Sequence, residues 1–375
     1  MAGTTGYVGA LIQAENPNNK KQIITTEAFI ESNKLKIDLF IAFSRKQKIM
    51  SPLHDKIFSV SPSSFEELAL EIFRFQFYQT EVYQDFCIGI KKTPSTVLQI
   101  SDIPFLPISF FKTHTVLANS KVAERIFESS GTTGINSSKH YVANISLYEA
   151  SFLRTFNLFY GDPREYVVLA LLPSYAERKN SSLIYMVEKL VELSGKNASG
   201  FFLHEHENLY DLLDVLKSGN RKTILLGVSF ALLDFVEKYK LDFPGLVVME
   251  TGGMKGRREE ITREELHTQL RVGFDVKHIH SEYGMTEMLS QAYSKSEGIF
   301  YSPPWLRILT RDIYEPTRIQ EKNKTGGINV IDLANLYSCS FIATDDLGMV
   351  RDDDSFEILG RIDNAEMRGC NLLTI

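Results

Sequence analysis

Cysteine is scarce in this sequence, which holds three cysteines among 375 residues. A set that is both sparse and odd in number argues against a framework of disulfide bonds, the usual support of small secreted domains. The N-terminus also lacks a basic segment followed by an apolar core, so we expect no secretory signal peptide. Together these absences favour the reducing cytoplasm as the compartment of the protein.

Long apolar runs and an excess of basic residues are also missing. The longest run, Ile224–Val236, is interrupted by Gly227, Ser229 and Asp234, so it is too short and too polar to span a bilayer. The net charge is −6 and the isoelectric point is near 5.8, whereas a nucleic-acid-binding protein usually carries a concentrated basic face. We therefore expect neither a membrane span nor a nucleic-acid partner.

The first part of the chain differs from the rest in composition and periodicity. Residues 1–55 are polar and without clear periodicity, and we interpret them as an extension before the main domain, residues 56–375. In that domain, Ser63–Glu67 has the pattern of a helix capping box, and apolar residues recur at helical spacing over Phe65–Tyr78. These patterns predict a helix at the start of the main domain.

Short apolar runs alternate with amphipathic stretches from about residue 120 onwards. Strands that alternate with helices at this spacing predict an α/β fold with a mostly parallel sheet covered by helices. A β-rich subregion at about 325–375 predicts a small antiparallel sheet or barrel instead. The predicted strands are Tyr166–Leu172, Thr223–Leu226, Gly245–Glu250, Val276–Ile279, Gly326–Asn335, Ser340–Asp345 and Phe356–Arg361, and the predicted helices are Leu183–Leu193, Leu209–Leu216, Phe230–Tyr239 and Arg258–Leu270.

A loop rich in hydroxyl groups and glycine, Phe127–Gly134, is a candidate phosphate cradle. Its glycines allow a ligand to approach the backbone, and its hydroxyl and N–H groups suit a polyphosphate. It lacks the Gly-Lys-Ser/Thr ending that a P-loop NTPase requires. The alternative is a solvated surface loop, since clusters of this composition usually are. The candidate nucleotide-binding residues in it are Ser129, Ser130, Gly131, Thr132, Thr133 and Gly134.

Two further loops follow predicted strands, Glu250–Gly253 and Ser281–Glu287, and the segments Ala343–Gly348 and Gly360–Asp363 come downstream of them. In α/β folds, ligands gather where the loops leave the carboxyl ends of the strands. With the Ser129–Gly134 loop, this ordered set resembles the AMP-forming adenylate ligases, such as acyl-CoA synthetases and phenylacetate-CoA ligase. The resemblance extends from about residue 57 to the C-terminus.

Within that superfamily the chain is most similar to the acyl-protein synthetases of the LuxE type. The similarity is carried by Lys139–Tyr141 after the phosphate loop, by Leu172–Tyr175 and the following Ser181–Leu183, by Tyr283–Glu287, and by the ending Arg368–Asn371. It implies an enzyme that forms an acyl adenylate from ATP and a carboxylic acid, with Mg²⁺ as the metal.

The resemblance also implies a role for each matching residue. The Ser129–Gly134 loop would wrap the phosphates of ATP, and Arg361 with Asp363 would mark the hinge to a mobile C-terminal domain. Asp345 stands where the superfamily usually has glycine, so which of Asp345 and Asp346 faces the ribose is left open. In the other implied roles, Gly252, Gly253 and Gly284 border the nucleotide, Tyr283 packs on adenine, Thr286 binds the α-phosphate, Glu287 holds Mg²⁺ and Asp346 grips the ribose hydroxyls.

The ligases of the CoA type continue past this hinge into a further domain, whereas this sequence ends at Ile375. We therefore expect the large domain without the mobile lid. Acyl-protein synthetases carry the acyl group on a cysteine near the C-terminus, and Cys370 matches that position. Its alternative is a small packing residue, which is also how we interpret Cys87 and Cys339.

Other residues have a functional and a structural interpretation. His140 could contact phosphate or carboxylate, or could be a strand residue in a solvated hairpin. Gly227 and Ser229 could line the acyl pocket, or could serve strand-to-helix packing. The His-x-His pairs at His204–His206 and His278–His280 lack third and fourth ligands at zinc spacing, so we interpret them as structural.

The function we favour is ATP-dependent activation of a carboxylic acid, expected to be fatty, with transfer of the acyl group to a protein thiol. The transition state spreads negative charge over phosphate oxygens, so catalysis needs fixed donors and a metal rather than a strong base. We expect a partner that accepts the acyl group, such as a transferase or reductase. One alternative is a compact acyl-CoA synthetase like phenylacetate-CoA ligase, and another is a non-catalytic subunit that binds acyl groups or nucleotides.

Overall fold

The computed structural model describes residues 53–129, 137–174, 176–219, 221–252 and 261–362. All of them belong to the unit formed by Pro52–Ile375. Fourteen strands lie in these ranges: β1 Leu106–Pro107, β2 Arg125–Glu128, β3 Lys139–Val142, β4 Tyr166–Leu171, β5 Gly200–Phe201, β6 Lys222–Val228, β7 Leu246–Thr251, β8 Ile279–Tyr283, β9 Ala292–Ser294, β10 Ile299–Phe300, β11 Leu306–Arg311, β12 Thr325–Asp332, β13 Phe341–Val350 and β14 Phe356–Arg361.

The helices alternate with the strands of the middle part of the chain, as the sequence pattern predicts. Short 3₁₀ turns at Ile100–Asp102 and Pro163–Glu165 precede β1 and β4. The α-helices in the described ranges are α1 Leu53–Phe58, α2 Phe65–Gln79, α3 Glu81–Gly89, α4 Phe110–Thr113, α5 Ile145–Tyr160, α6 Ser182–Ser194, α7 His206–Lys217, α8 Ser229–Lys238 and α9 Arg263–Phe274.

The main sheet has the strand order β5-β4-β6-β7-β8-β9. Its first five strands pair in parallel and β9 closes the edge antiparallel to β8. Every residue of β4 is buried, as are all residues of β6 after Lys222, which is the expected pattern for parallel strands covered by helices. The predicted α/β class is confirmed.

A second sheet is built by the C-terminal part of the described chain. Its order is β10-β14-β13-β12-β11, with antiparallel pairing throughout. The short strand β1 joins it in parallel beside β13, with Leu106 opposite Ile342. The predicted antiparallel sheet after about residue 325 is therefore found, and it also recruits a segment from far upstream. Strands β2 and β3 form a separate hairpin.

Three details differ from the sequence prediction, each for a local reason. Ser64 makes no side-chain cap at α2, because its hydroxyl bonds the Ser61 backbone N–H at 3.0 Å in a preceding turn. Helix α9 begins at Arg263, since Thr262 and Glu265 form a capping box there, and residues 258–260 of the predicted helix lie outside the described ranges. Strand β8 begins only at Ile279, so most of the predicted strand Val276–Ile279 lies in the turn before it.

Within the described residues, no helix is long and apolar enough to cross a bilayer. The largest fully buried side chains in this part of the chain are aromatic, which accounts for many of its 25 phenylalanines and 16 tyrosines. These side chains are Tyr83, Tyr148, Tyr293, Phe65, Phe73, Phe77, Phe111, Phe127, Phe152, Phe235, Phe274 and Phe300.

Candidate functional site

The hairpin of β2 and β3 fixes both ends of the phosphate-loop segment. Ser129 follows β2 and Ser138 precedes β3, and the two are joined twice. The Ser129 N–H donates to the Ser138 carbonyl at 3.0 Å, and the Ser138 N–H donates to Ser129 Oγ at 2.9 Å. The Ser138 side chain also hydrogen-bonds Glu287. The base of the candidate phosphate loop therefore lies directly against the proposed metal-binding carboxylate.

Glu287 is a buried acid, with only 5% of its surface exposed. Burial raises the pKa of Glu287, while the Ser138 hydrogen bond and the positive charges of Lys112 and Arg361 act in the opposite direction. Burying an ionised carboxylate costs free energy unless a cation or several hydrogen-bond donors compensate its charge. Glu287 is therefore suited to hold a cation that arrives with a ligand.

Asp346 on β13 and Tyr283 at the end of β8 bring the two sheets together. The Tyr283 hydroxyl donates to Asp346 Oδ2 at 2.8 Å, and Arg361 Nε lies 3.6 Å from Asp346 Oδ1. Burial raises the pKa of Asp346. Asp345, its neighbour on the strand, is exposed, since successive side chains of a strand point to opposite faces. Asp346 is thus the carboxylate that faces Tyr283.

The Tyr283 ring packs against two other aromatic rings. It meets the rings of Phe300 and Phe356 edge-on, with centroids 5.9 and 5.5 Å away. The next residue, Gly284, is exposed, and a Cβ there would come within 2.5 Å of Glu282 Oε1. Glycine at this position therefore lets the chain turn past the buried Glu282 carboxylate. Thr286, further along the loop, is half-buried.

His140 on β3 is fully buried, and the protein occupies both of its ring nitrogens. Nδ1 lies 2.8 Å from the Thr286 carbonyl oxygen and Nε2 lies 3.0 Å from Asn335 Oδ1. Burial lowers the pKa of His140 to about 4. Contact with a phosphate or carboxylate would require one of these bonds to break. In the structure His140 therefore supports the Tyr283–Glu287 loop from behind.

The same loop is held by residues that the motif analysis missed. Asn335 Nδ2 donates to the Glu287 and Cys339 carbonyls at 2.8 and 2.9 Å. Asp332 accepts from the N–H groups of Leu289 and Ser290 at 2.7 and 2.9 Å.

Behind Asn335 and Asp332, Gln76 of α2 donates to the carbonyls of Asn335 and Leu336 and accepts from Ser340 N–H. A sequence signal existed for the first two, because an apolar strand ends at Asp332 and Asn335 follows three residues later.

At the ends of β6 and β7, Gly227, Ser229 and Gly252 lie next to a buried acid. A Cβ on Gly227 would be 2.9 Å from Leu232 Cγ and 3.0 Å from Leu171 Cβ, so strand-to-helix packing explains the glycine. Ser229 Oγ donates to the Gly252 carbonyl at 2.7 Å and to Glu250 Oε2 at 3.3 Å. Gly252 has a φ of +66°, a conformation that glycine adopts without strain.

Several predicted site residues lie outside the described ranges, namely Ser130, Gly131, Thr132, Thr133, Gly134, Gly253 and Cys370. Cys87 and Cys339 are described and fully buried, Cys87 in α3 and Cys339 in the loop before β13. Burial raises the pKa of the Cys339 thiol to about 12 and raises that of Cys87 as well. Neither thiol is suited to act as a nucleophile, because the thiolate is the reactive form.

Among the described residues, no group of three or more His, Cys, Asp or Glu side chains is arranged to hold a metal ion. His204 Nε2 lies 3.0 Å from Glu177 Oε1, and His280 hydrogen-bonds the Tyr160 hydroxyl at 3.0 Å.

Comparisons with known proteins extend this picture. A family model described as acyl-protein synthetase, LuxE, matches residues 46–374. Over 330 residues, the chain is 25% identical to a long-chain-fatty-acid–luciferin-component ligase of Vibrio harveyi, covering 80% of this chain and 84% of that protein.

Among the solved structures, a CoA ligase indicates the wider fold. A 2-hydroxyisobutyryl-CoA ligase in complex with 2-HIB-AMP and CoA superposes with a TM-score of 0.60 at 13% identity, covering 84% of this chain and 73% of that chain. ATP-bound MatB from Rhodopseudomonas palustris gives a TM-score of 0.49 at 17% identity, covering 63% of this chain. This chain spans 47% of the MatB chain. At such identities the likeness to the CoA ligase speaks for the fold alone.

The family match covers most of the chain, including every described residue of the candidate site. The curated relative is matched over most of its own length as well. The chain therefore belongs to the acyl-protein synthetase family LuxE, and it is an enzyme of the ligase class that activates a carboxylic acid with ATP and transfers the acyl group to a protein.

Proposed function

We propose that the acid is a long-chain fatty acid, that it is activated as an acyl adenylate, and that Cys370 carries the acyl group before a partner protein receives it. The choice of acid is supported by the name of the Vibrio harveyi relative. The observation that carries the proposal is the convergence of Tyr283 and Asp346 with Thr286 and Glu287 beside the ends of the phosphate-loop segment.

In this proposal ATP is a substrate bound along the edge where the two sheets meet. The adenosine lies at Tyr283 and Asp346, where a buried carboxylate next to a flat ring suits two ribose hydroxyls and a base. The Thr286 hydroxyl, in a loop fixed from behind by His140 and Asn335, binds the α-phosphate. The residues of Ser129–Gly134 surround the remaining phosphates, as the residue types favour.

Mg²⁺ fits the donor set of this site. Glu287 is an oxygen ligand whose burial raises its pKa and makes a compensating cation favourable. One or two protein carboxylates together with substrate phosphates are what Mg²⁺ usually takes. When bound, the metal would offset negative charge on the phosphate oxygens. The chain's own contribution is to hold the Glu287 backbone through Asn335, at 2.8 Å, so that the carboxylate keeps one position.

The acyl group then passes from the adenylate to a thiolate. The Cys370 sulfur attacks the carbonyl carbon, the bond from that carbon to the phosphate oxygen breaks, and AMP leaves with the electron pair. Cys370 is the cysteine suited to this step by elimination, because burial raises the pKa of both Cys87 and Cys339. A free thiol requires a reducing compartment, so we place the enzyme in the cytoplasm, which cell fractionation tests.

The first experiment measures carboxylate-dependent ATP–pyrophosphate exchange across acids of increasing chain length, with hydroxylamine to trap the activated acyl group. Exchange that is strongest with long-chain acids, and that depends on Mg²⁺, is expected. Exchange with short acids alone would rule out the fatty-acid assignment. Absence of exchange with any acid would rule out the adenylate.

The second experiment locates the acyl carrier. Radiolabelled acid is expected to remain on the wild-type protein and on Cys339→Ser, the matched control, through a bond that hydroxylamine cleaves. Cys370→Ser should keep exchange but lose the label. Equal labelling of Cys370→Ser, or rapid release of acyl-CoA on addition of CoA, would contradict the carrier role and favour a CoA ligase.

A further inference from the structure

Helix α4, which carries Lys112, is anchored beside the strand that bears Asp346. Strand β1, just before the helix, pairs with β13 so that Pro107 lies opposite Ala343. The Ile108 N–H then donates to the Ala343 carbonyl at 2.9 Å. Asp346 follows three residues later on that strand. The segment leading to Lys112 is therefore fixed to the same strand as the proposed ribose-binding carboxylate.

A second contact ties α4 to the loop that carries Thr286 and Glu287. Phe111 is buried, with 1% of its surface exposed, and its ring meets the His140 imidazole edge-on with centroids 5.7 Å apart. His140 in turn lies 2.8 Å from the Thr286 carbonyl oxygen. Because Phe111 is locked on one side of the helix, the adjacent Lys112 is held at the border of the site, where its side chain is exposed.

The charge of Lys112 reaches the centre of the site. Among the described residues, Lys112 and Arg361 are cations whose fields favour the ionised form of Glu287. Arg361 already has a carboxylate partner, since its Nε lies 3.6 Å from Asp346 Oδ1. In the part of the chain that the structure describes, Lys112 Nζ forms no hydrogen bond or ion pair, whereas Lys139 on the neighbouring hairpin is paired with Glu128 at 3.7 Å. Lys112 is thus a cation that a ligand can engage without displacing a partner.

We propose that Lys112 is a catalytic residue of the acid-activating step, in which its ammonium group binds anionic phosphate oxygens of ATP. The inference rests on the proposed function. In that step a carboxylate oxygen attacks the α-phosphorus, a new oxygen–phosphorus bond forms, and the bond to the bridging oxygen of the β-phosphate breaks. Pyrophosphate leaves with the electron pair and no proton is transferred.

Both reactants of this step are anions, and negative charge grows on the departing pyrophosphate. A fixed cation at that point lowers the barrier more than it strengthens ground-state binding, because its attraction increases as the charge develops. Lysine serves as a point charge for phosphate. Arginine at position 112 keeps the positive charge but not the compact shape of the ammonium group, so Lys112→Arg should be more active than Lys112→Ala and less active than the wild type.

The test compares Lys112→Ala, Lys112→Gln and Lys112→Arg with Lys324→Ala, a control that removes an exposed lysine paired with Glu321 at 3.0 Å. The readouts are ATP–pyrophosphate exchange with separate kcat and KM for ATP and acid, acyl transfer to the protein from chemically prepared acyl adenylate, and thermal unfolding. The loss of one electrostatic donor predicts an exchange rate lower by about 100- to 1,000-fold in Lys112→Ala, with partial recovery in Lys112→Arg. Transfer from the prepared adenylate and the unfolding temperature should match the control.

Exchange by Lys112→Ala equal to that of Lys324→Ala would overturn the inference, and so would an effect confined to the KM for the acid. An equal loss in Lys112→Arg together with a lower unfolding temperature would assign Lys112 a structural role instead and also overturn it. If the wild-type protein shows no exchange, the proposed function itself fails. That outcome is distinguishable because it is seen before any variant is measured.

Discussion

Two buried polar clusters flank the candidate site, and they are built differently. The Asn335 cluster (Gln76, His140, Asp332 and Asn335) bonds mostly to backbone groups, as in the 2.8 Å contact from Asn335 Nδ2 to the Glu287 carbonyl. The Glu250 cluster (Ser229, Glu250, His267 and Ser281) bonds mostly between side chains. Its distances are longer, with 3.5 Å from His267 Nε2 to both Glu250 Oε1 and Ser281 Oγ.

The difference separates two tasks. Short bonds to backbone groups fix the path of a loop, because both ends of each bond are tied to the chain. Long contacts among side chains leave an acid in place while the groups around it can adjust. We infer that the Asn335 cluster sets the geometry of the reacting end, at Thr286 and Glu287. The Glu250 cluster borders the proposed acyl pocket through Ser229 and Gly252.

Replacing Asn335 with alanine should have the largest effect on both stability and activity. The change leaves three buried groups without their partner: the carbonyls of Glu287 and Cys339, and His140 Nε2. At about 1–3 kcal/mol for each unsatisfied group, the free energy of unfolding should fall by several kcal/mol. Urea unfolding and ATP–pyrophosphate exchange measure the two losses.

Asn208→Ala is the matched control for that change, because Asn208 is exposed and bonds the nearby Glu205 side chain. Asn335→Asp keeps the acceptor for His140 but places a carboxylate oxygen against the Glu287 and Cys339 carbonyls, so it should lose at least as much as Asn335→Ala. Normal exchange in Asn335→Ala would show that the loop needs no support from this cluster, and the comparison would fail.

His140 should give the Asn335 cluster a pH dependence of intermediate size. Its two partners, the Thr286 carbonyl oxygen and Asn335 Oδ1, can only accept, because Asn335 Nδ2 already donates to two carbonyls. A neutral imidazole has one N–H group, so it can donate to only one of these two oxygens. Burial nevertheless lowers the pKa of His140 from 6.5 to about 4. The unfolded chain then takes up the proton first as the pH falls, and the free energy of unfolding decreases between pH 6.5 and about 4.

The contribution of His140 to that decrease is at most about 3 kcal/mol, from the size of the pKa shift. Unfolding at several pH values should show a shallower acid loss in His140→Gln than in wild type. The exposed His278→Gln serves as the control. An identical pH profile for His140→Gln and wild type would mean that the imidazole is not held neutral in the folded protein.

The contrast between the clusters also explains what the sequence could and could not predict. The alternating strands and helices follow from hydrophobic periodicity, and Tyr283, Thr286, Glu287 and Asp346 stand out because they lie in short motifs. Gln76 does not, because its partner Asn335 is 259 positions away in the sequence. Such pairs depend on the register of the C-terminal sheet against α2, which no local pattern encodes.

Orientation was a second limit of the sequence. Motif matching could name Asp345 and Asp346 but could not say which of them faces Tyr283, and strand alternation in β13 shows that Asp346 does. His140 was named as a possible ligand contact because a histidine after a phosphate loop suits an anion. Its strand instead pairs with β2 so that the ring is buried behind Thr286. Lys112 carries no motif at all, and its place follows from the packing of Phe111.

Glu250→Gln should have the smallest effect, and it tests the other side of the comparison. The amide keeps an acceptor for Ser229 but loses the charge that faces His267 at 3.5 Å and Arg263 Nε at 3.8 Å. Because these contacts are long and the neutral amide is spared the desolvation cost of a buried charge, the free energy of unfolding should change little. Exchange assays should show an altered KM for the acid and an unchanged KM for ATP.

The control is Glu264→Gln, which changes an exposed residue on the same helix as His267. A raised KM for ATP would show that the Glu250 cluster also positions the nucleotide, and the division of tasks between the two clusters would not hold.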